Sequence, residues 1–461
     1  MISEDQELSL SPEDYSLLTD LYQLTMAACY VGEKIDQRQA SFELFVRKLP
    51  EGFGYLIAMG LAQALDYLEK FRFTSPQIAA LQSTEIFANA PDQFWSLLAE
   101  AKFTGDVWAV PEGIAVFPNQ PLLRIEAPLW QAQLLETYLL NTINYQTLIA
   151  TKAARMRDIA GPETKLLEFG TRRAFSPQAG IWAARAALAA GMDATSNVLA
   201  ALKLGRKPVG TMAHALVMAI SAVEGKEEDA FAAFQRYFPN APLLIDTFDT
   251  MAAAKLLSER VAQGKMQVSG VRLDSGNLAQ LSKDVRSLLP EVTIFASGDI
   301  DEWEIAKLQT ENACIDGYGI GTKLVTGLPV NGVYKLVEID GIPVMKKSSS
   351  KMSYPGRKQI YRYLENGQLQ QDYWGLIDED VLNQTDQEMN SPIQLMELVV
   401  KAGKRVKSPE NLEAIAKRTA ISVASLPRES RRLENPSLPP MKISHKLQEL
   451  TEKTLDKIFK E

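Results

Sequence analysis

The sequence predicts an α/β fold: a central (β/α) barrel-like domain with an outer α/β domain built from both chain ends. The first observation is a repeated grammar. Apolar, strand-like runs end abruptly in small, polar or charged residues, as in TKLLEFGTRR, KPVGTMAH, PLLIDTFDT, QVSGVRLDSGN, VTIFASGD and ACIDGYGIGT. Helix-like stretches lie between them, the pattern of βα units around a parallel sheet or barrel. The second observation is spacing: from Lys165 to about Thr326 the runs recur at roughly 25–40-residue steps, enough for one strand, one helix and their loops. The third is that short β-runs and a hairpin flank this repeat. The expected division is therefore 1–130 plus 330–461 for the outer domain and 131–329 for the barrel-like domain.

Taken in order, the acidic first ten or so residues are expected to be disordered, as termini commonly are. LLTDLYQLTMAACYVGE reads as a helix, with apolar residues three or four apart and Thr19 or Asp20 as its cap. ASFELFVRKLP alternates like a strand until Pro50, and GYLIAMGLAQALDYLEKF reads as an amphipathic helix. Around residues 104–126, FTGDVWAVPEGIAVFPNQPLLRIEAP holds three short β-runs punctuated by Gly, Pro and Asn. A long helical stretch follows from Leu129 to about Ala160, and then the βα repeat. GVYKLVEIDGIPVMK is a hairpin turning on Asp340-Gly341, and SSSKMSYPGRKQIYR a basic loop running into another strand. Pro436 to Pro440 interrupts the remainder before a charged terminal helix.

With 461 residues, 46% hydrophobic and 23% charged, the chain is long enough for two cores. A net charge of -8 argues against a nucleic-acid partner, because counterion release needs clustered Lys and Arg. Cys29 and Cys314 are the only cysteines and lack metal-ligand spacing, so neither a disulfide framework nor a zinc site is expected. The acidic start MISEDQELSLSPEDYS is not a basic segment leading into an apolar one, and no apolar run approaches bilayer length. A cytoplasmic protein with no membrane partner is the expectation.

Candidate chemistry clusters where the runs end. His214 in GTMAHA is one of two histidines, the other being His445 in the charged tail; a histidine beside ALVMAI is either a packing residue or a base or nucleophile. Arg172 and Arg173 follow Gly170, where guanidinium forks fit phosphate or carboxylate oxygens, or simply face water. Arg272 and Asp274 are two apart on an extended run, so both share one face, as a structural ion pair or as anion and hydroxyl contacts. Asp246 and Asp249 in IDTFDT, and Ser297, Gly298 and Asp299 in ASGD, join the same end. GYGIGTK offers Gly319, Gly321 and Thr322 where barrels present N–H groups to phosphate, yet it completes neither GxxxxGK[ST] nor GxGxxG. The convergence suits a phosphorylated sugar or nucleotide substrate.

LTDLYQLTM near the start, then FGTRRAFSPQAG, DATSNVLA, GTMAHA, VRLDSGN, GIGTKLVT and GVYKLVEIDGIPVMKKSSSK, in order over nearly the whole chain, resemble the nicotinate phosphoribosyltransferase family. The resemblance implies a type II phosphoribosyltransferase-like fold. It also implies a reaction joining nicotinate to 5-phosphoribosyl 1-pyrophosphate, coupled to ATP hydrolysis, with Mg²⁺. His214 matches the histidine that ATP phosphorylates. Arg272 and Thr211 match positions near nicotinate, and Phe169 and Tyr22 the aromatic positions that sandwich its ring, Tyr22 arriving from the second subunit of a homodimer. Asp274, Ser297, Gly298, Gly319, Gly321 and Thr322 match the phosphoribosyl site, with Arg172 neutralising phosphate. Lys346, Lys351 and Arg357 would meet ATP or pyrophosphate, and Asp249 and Asp274 a metal ion.

The nearest rival is a nicotinamide phosphoribosyltransferase. In that branch the segment resembling ATSNV carries an Asp that accepts from the amide, where this chain has Ser196. A carboxylate there would repel nicotinate's own by about 4 kcal/mol at an effective dielectric near 20. Quinolinate phosphoribosyltransferase has no need of a phosphorylatable histidine. A barrel aldolase or lyase would use Lys323 as its Schiff base, and a non-enzymatic nucleotide-binding barrel would show a gap among the strand-end charges that this sequence lacks.

Overall fold

The computed structural model describes residues 8, 10–349, 351–379 and 392–460, so the expectation of a disordered start falls almost wholly outside the described residues. Two compact units emerge: Met1–Leu148 with Pro329–Asn411 and Ile421–Glu461, and Ile149–Leu328 with Leu412–Ala420. The division falls inside the helix Glu136–Ala160 instead of at residue 131, and a short piece near the C-terminus counts with the second unit. No helix among the described residues is long and apolar enough to cross a membrane.

The second unit is built on a six-stranded parallel sheet. Its order is Ala194–Thr195, Lys165–Glu168, Gly317–Ile320, Thr293–Ser297, Gly270–Leu273, Leu243–Leu244. Parallel pairing brings every strand's carboxyl end to one edge, and helices such as Pro177–Ala189, Thr250–Ala262 and Leu278–Leu288 return the chain to the other. Side-chain caps mark several helix starts, Ser176 on Ala179 N–H, Asn197 on Ala200 N–H and Asn277 on Gln280 N–H. At the opposite edge two Arg–Asp clasps repeat. Arg157 donates to Gly161 O, Thr164 O and Asp193, which accepts from Leu166 N–H; Arg286 donates to Pro290 O, Val292 O and Asp316, which accepts from Ile294 N–H. Each clasp ties a helix end to the first residues of a strand, so the far end of that strand is held in register.

One expected strand is absent. KPVG pairs with nothing as a strand; Pro208 lacks an N–H, and the contact made is Val209 N–H to Thr195 O at 2.9 Å. The strand that occupies this part of the sheet is the two-residue Ala194–Thr195, too short to leave an apolar run in the sequence.

The first unit carries strands from both chain ends. Its seven-stranded sheet runs Ile342–Pro343, Gly332–Ile339, Gln39–Val46, Pro121–Pro128, Asp106–Ala109, Glu397–Lys401, Lys404–Arg405, and a four-stranded sheet runs Ile393–Gln394, Lys358–Glu365, Gln368–Leu376, Met441–Ile443. Asp340 and Gly341 both take positive φ, 48° and 76°, as a two-residue hairpin turn requires. The run GYLIAMG contributes a short strand, Leu56–Ile57, before Gly60 at φ 99° opens the helix Leu61–Glu69. The helix near the start spans Leu21–Gly32, but Asp20 gives its N–H groups no side-chain cap and instead accepts from Thr137. The long helical stretch breaks at Leu135 into Leu129–Leu134 and Glu136–Ala160. Aromatic pairs, Tyr67 on Tyr138 with centroids 4.2 Å apart and Phe42 on Tyr334 at 4.9 Å, lie in this unit's core.

Candidate active site

The carboxyl edge of the parallel sheet gathers most of the sequence candidates. A cavity of about 840 Å³ runs along the second unit's sheet from the strand starts at Lys165, Gly270 and Thr293, with Leu167, Phe169, Thr211, Arg272, Phe295 and Gly319 among its lining. These residues alternate along their strands, so one face of the sheet points inward. Gly319 is required by packing: a Cβ there would stand 2.6 Å from Cδ2 and Cε2 of the Phe169 ring. Gly317 leaves similar room for Phe295. A second cleft, of about 680 Å³, lies in the first unit against Pro91, Trp130 and Gln131 and holds none of the candidates.

Arg272 reaches into the cavity from the strand Gly270–Leu273 and is mostly buried. Its Nη1 donates to Thr211 Oγ1 at 3.3 Å and Met212 O at 3.2 Å, and its Nη2 to Asp274 Oδ1 at 3.3 Å. The buried Nε has no hydrogen-bond partner among the described residues. The ion pair that one sequence reading expected is present, and Asp274 orients the guanidinium.

Asp274 is fixed from three sides. Its Oδ1 accepts from Ser297 Oγ as well as Arg272, and its N–H donates to Asp246 Oδ2 at 2.9 Å. Asp246 Oδ2 also accepts from Ser275 Oγ at 2.7 Å, while its buried Oδ1 has no hydrogen-bond partner among the described residues. Ser297 is therefore a brace for the carboxylate. Gly298, at φ 90°, lets the next turn pass over the Asp274 carbonyl, where a Cβ would collide.

His214 is the first residue of the helix His214–Glu224, whose opening N–H groups have no side-chain cap. Its Nδ1 lies 3.1 Å from Thr247 Oγ1, which leaves Nε2 as the outward nitrogen. Arg172 and Arg173 form a single 3₁₀ turn, Thr171–Arg173, and are exposed with no ion-pair partner among the described residues. Gly170 is packed against Val325 of the helix Thr322–Val325, and Lys152 donates to Lys323 O and, at 2.6 Å, to Thr326 O at the end of that helix. Burial pushes the Lys152 ammonium below its ordinary pKa. Ser196 is half-buried, its N–H donating to Glu168 O at 2.9 Å.

Other candidates are engaged elsewhere. Asp249 Oδ1 caps the helix Thr250–Ala262 through Ala252 N–H at 2.8 Å. Among the described residues no group of three or more His, Cys, Asp or Glu is placed to hold an ion. Lys323 is half-exposed and faces Asp301 at 3.6 Å, away from any Schiff-base pocket that burial would create. Tyr22, Lys346, Lys351 and Arg357 belong to the first unit. Tyr22 is 48% exposed. Partial burial, then the charges of Glu136 and Asp20, raise its hydroxyl's pKa. Lys346 and Lys351 are exposed, whereas Arg357 already pairs with Glu338 at 3.0 Å and Glu126 at 3.3 Å.

Thr247, Glu168 and Lys152 escaped the sequence reading. Glu168 did leave a signal: a carboxylate inside the apolar run KLLEF is buried only when partnered.

Residues 17–144 match the nicotinate phosphoribosyltransferase N-terminal domain, 164–373 the nicotinate phosphoribosyltransferase family, and 357–451 the nicotinate phosphoribosyltransferase C-terminal domain. A nicotinate phosphoribosyltransferase of Mycobacterium tuberculosis is 43% identical over 362 residues, 76% of this chain and 76% of that one. One from Bacillus subtilis is 41% identical over 409 residues, 84% of this chain and 81% of its own. The crystal structure of human nicotinic acid phosphoribosyltransferase superposes with a TM-score of 0.81 at 30% identity, covering 95% of this chain and 100% of that chain.

Proposed function

The chain belongs to the nicotinate phosphoribosyltransferase family, and from that premise we propose that it joins nicotinate to 5-phosphoribosyl 1-pyrophosphate, with ATP hydrolysis coupled through a phosphohistidine at His214. The pyridine nitrogen attacks ribose C1, the bond from C1 to the pyrophosphate oxygen breaks, and its electron pair leaves with pyrophosphate. The products are nicotinate mononucleotide and pyrophosphate.

The observation that carries this reading is that Arg272 and Phe169 line one cavity, Arg272 Nε having no hydrogen-bond partner among the described residues. A flat ring bearing a carboxylate meets both an aromatic face and a guanidinium donor there. Ser196 in place of a carboxylate favours the acid over the amide. Positive charge growing on the sugar is opposed by Asp246 and Asp274, and negative charge on the leaving group by Arg172 and the N–H groups around Gly319, Gly321 and Thr322. The residues fit Mg²⁺ carried in by the phosphates, because Asp246 Oδ1 is orphaned beside Asp274 and this ion takes one or two carboxylates with substrate oxygens. Bound, it would neutralise charge on the departing pyrophosphate.

For His214, the Thr247 contact holds Nδ1 and leaves Nε2 to attack the γ-phosphorus of ATP, expelling ADP. A phosphoryl group on that ring would sit at an uncapped helix start, where N–H groups and the helix dipole favour an anion. Exposed Lys346 and Lys351 remain the proposed contacts for ATP or pyrophosphate. Exposed Tyr22 fits a role as second ring contact from the other subunit of a homodimer working in the cytoplasm.

The test is product analysis with nicotinate, nicotinamide and quinolinate, each with phosphoribosyl pyrophosphate and Mg²⁺, with and without ATP. Nicotinate alone should yield its mononucleotide, faster with ATP and with ADP formed alongside. Folded protein that makes no nicotinate mononucleotide, or prefers nicotinamide, would overturn the proposal.

A further inference from the structure

Glu168 is fully buried at the end of the strand Lys165–Glu168, and the reaction described above does not use it. One carboxylate oxygen, Oε1, accepts from Gly170 N–H; the other, Oε2, accepts from Thr195 Oγ. Thr195 Oγ in turn accepts from Asn197 N–H at 2.9 Å, and Asn197 Oδ1 caps the helix Val198–Lys203 through Ala200 N–H at 3.0 Å. The backbone repeats the tie, since Glu168 O accepts from Ser196 N–H at 2.9 Å. Phe169 lies between the two groups on one side of this bridge and Ser196 between the two on the other.

We infer that Glu168 and Thr195 act as a positioning pair that sets the separation between the ring platform Phe169 and the substituent position Ser196, and so the choice between pyridine acid and amide. The inference rests on the reading of the cavity as a nicotinate site. A single carboxylate spanning two strand ends does what neither loop does alone: it fixes the turn that follows Phe169 against the segment that carries Ser196. Burial pushes the Glu168 carboxyl above its ordinary pKa, with the Thr195 and Gly170 donors pulling it back. The bridge thus depends on both donors remaining in place.

Thr195→Val keeps the shape and removes the hydroxyl; Thr195→Ser keeps the hydroxyl. With wild-type turnover of nicotinate established first, Thr195→Val should raise the nicotinate KM about tenfold or more, the loss expected for a charge-assisted hydrogen bond. It should also lower the nicotinate-to-nicotinamide ratio in kcat/KM, with the phosphoribosyl pyrophosphate KM unmoved. Thr195→Ser should stay close to wild type in all three. If Thr195→Val does not fold, Thr195→Ala carries the same comparison without the added methyl. An unchanged nicotinate KM in the folded variant, equal rises in both KM values, or a Ser variant as poor as Val would overturn the pair. A wild-type enzyme inert toward nicotinate would sink the functional reading instead.

Discussion

Gly319→Ala is expected to damage nicotinate recognition far more than the fold. A Cβ at this position falls 2.6 Å from two carbons of the Phe169 ring and 3.3 Å from Ser297 Cβ. Carbon atoms rest at about 3.5–4.0 Å, so the ring must retreat by roughly 1 Å. Such overpacking costs about 1–3 kcal/mol of stability, which lowers Tm by several degrees in a unit of this size. A 1 Å misplacement of a substrate-positioning group costs on the order of 10²-fold in rate, so kcat/KM for nicotinate should fall by about that factor. The phosphoribosyl pyrophosphate KM should rise less than the nicotinate KM, because the shortest contacts of the new methyl are to the Phe169 ring. Steady-state kinetics in both substrates, beside a thermal melt, read this directly. Gly32→Ala, where a Cβ meets nothing within 4 Å, is the control. A Gly319→Ala enzyme that melts lower yet keeps the nicotinate KM of wild type would show that Phe169 is not the ring platform.

Three further outcomes follow from the same geometry. Ser196→Asp should shift kcat/KM toward nicotinamide, since two carboxylates about 4 Å apart repel by about 4 kcal/mol at an effective dielectric of 20; an unchanged ratio would place Ser196 away from the substituent. His214→Asn should fold normally but lose ATP hydrolysis and ATP stimulation, and γ-labelled ATP should give an acid-labile, base-stable phosphoprotein with wild type only. Tyr22→Ala mixed with Arg272→Ala should regain activity in hybrid dimers, one good site each; hybrids no better than either parent would confine the site to one chain.

The fold was legible wherever burial is dense. The runs ending in FGTRR, IDTFDT, LDSGN, ASGD and GIGT all became parallel strands because continuous apolar residues with a polar terminus have few other uses. KPVG misled because Pro208 and Gly210 bracket a β-branched residue that borrows one bond from Thr195 without joining the sheet. Ala194–Thr195 was invisible for the opposite reason, a two-residue strand with no apolar run of its own. Among candidate site residues, the pairing of Arg272 with Asp274 was readable from their two-residue spacing. Thr247 and Lys152 were not, since their contacts, His214 and Thr326, lie far away in sequence. Asp249, expected at a metal ion, has its Oδ1 on a helix start, a contact its sequence position does not separate from ion binding.

The proposed contact between the nicotinate carboxylate and Arg272 is tested most directly by a two-by-two comparison of wild type and Arg272→Ala with nicotinate and nicotinamide. A charge-assisted contact in a mostly buried setting contributes about 1.5–3 kcal/mol, so Arg272→Ala should cost nicotinate on the order of 10–10²-fold in kcat/KM beyond any loss shared with nicotinamide. Equal losses for the acid and the amide would mean that Arg272 serves the scaffold through Asp274 and Thr211 and never meets the carboxylate.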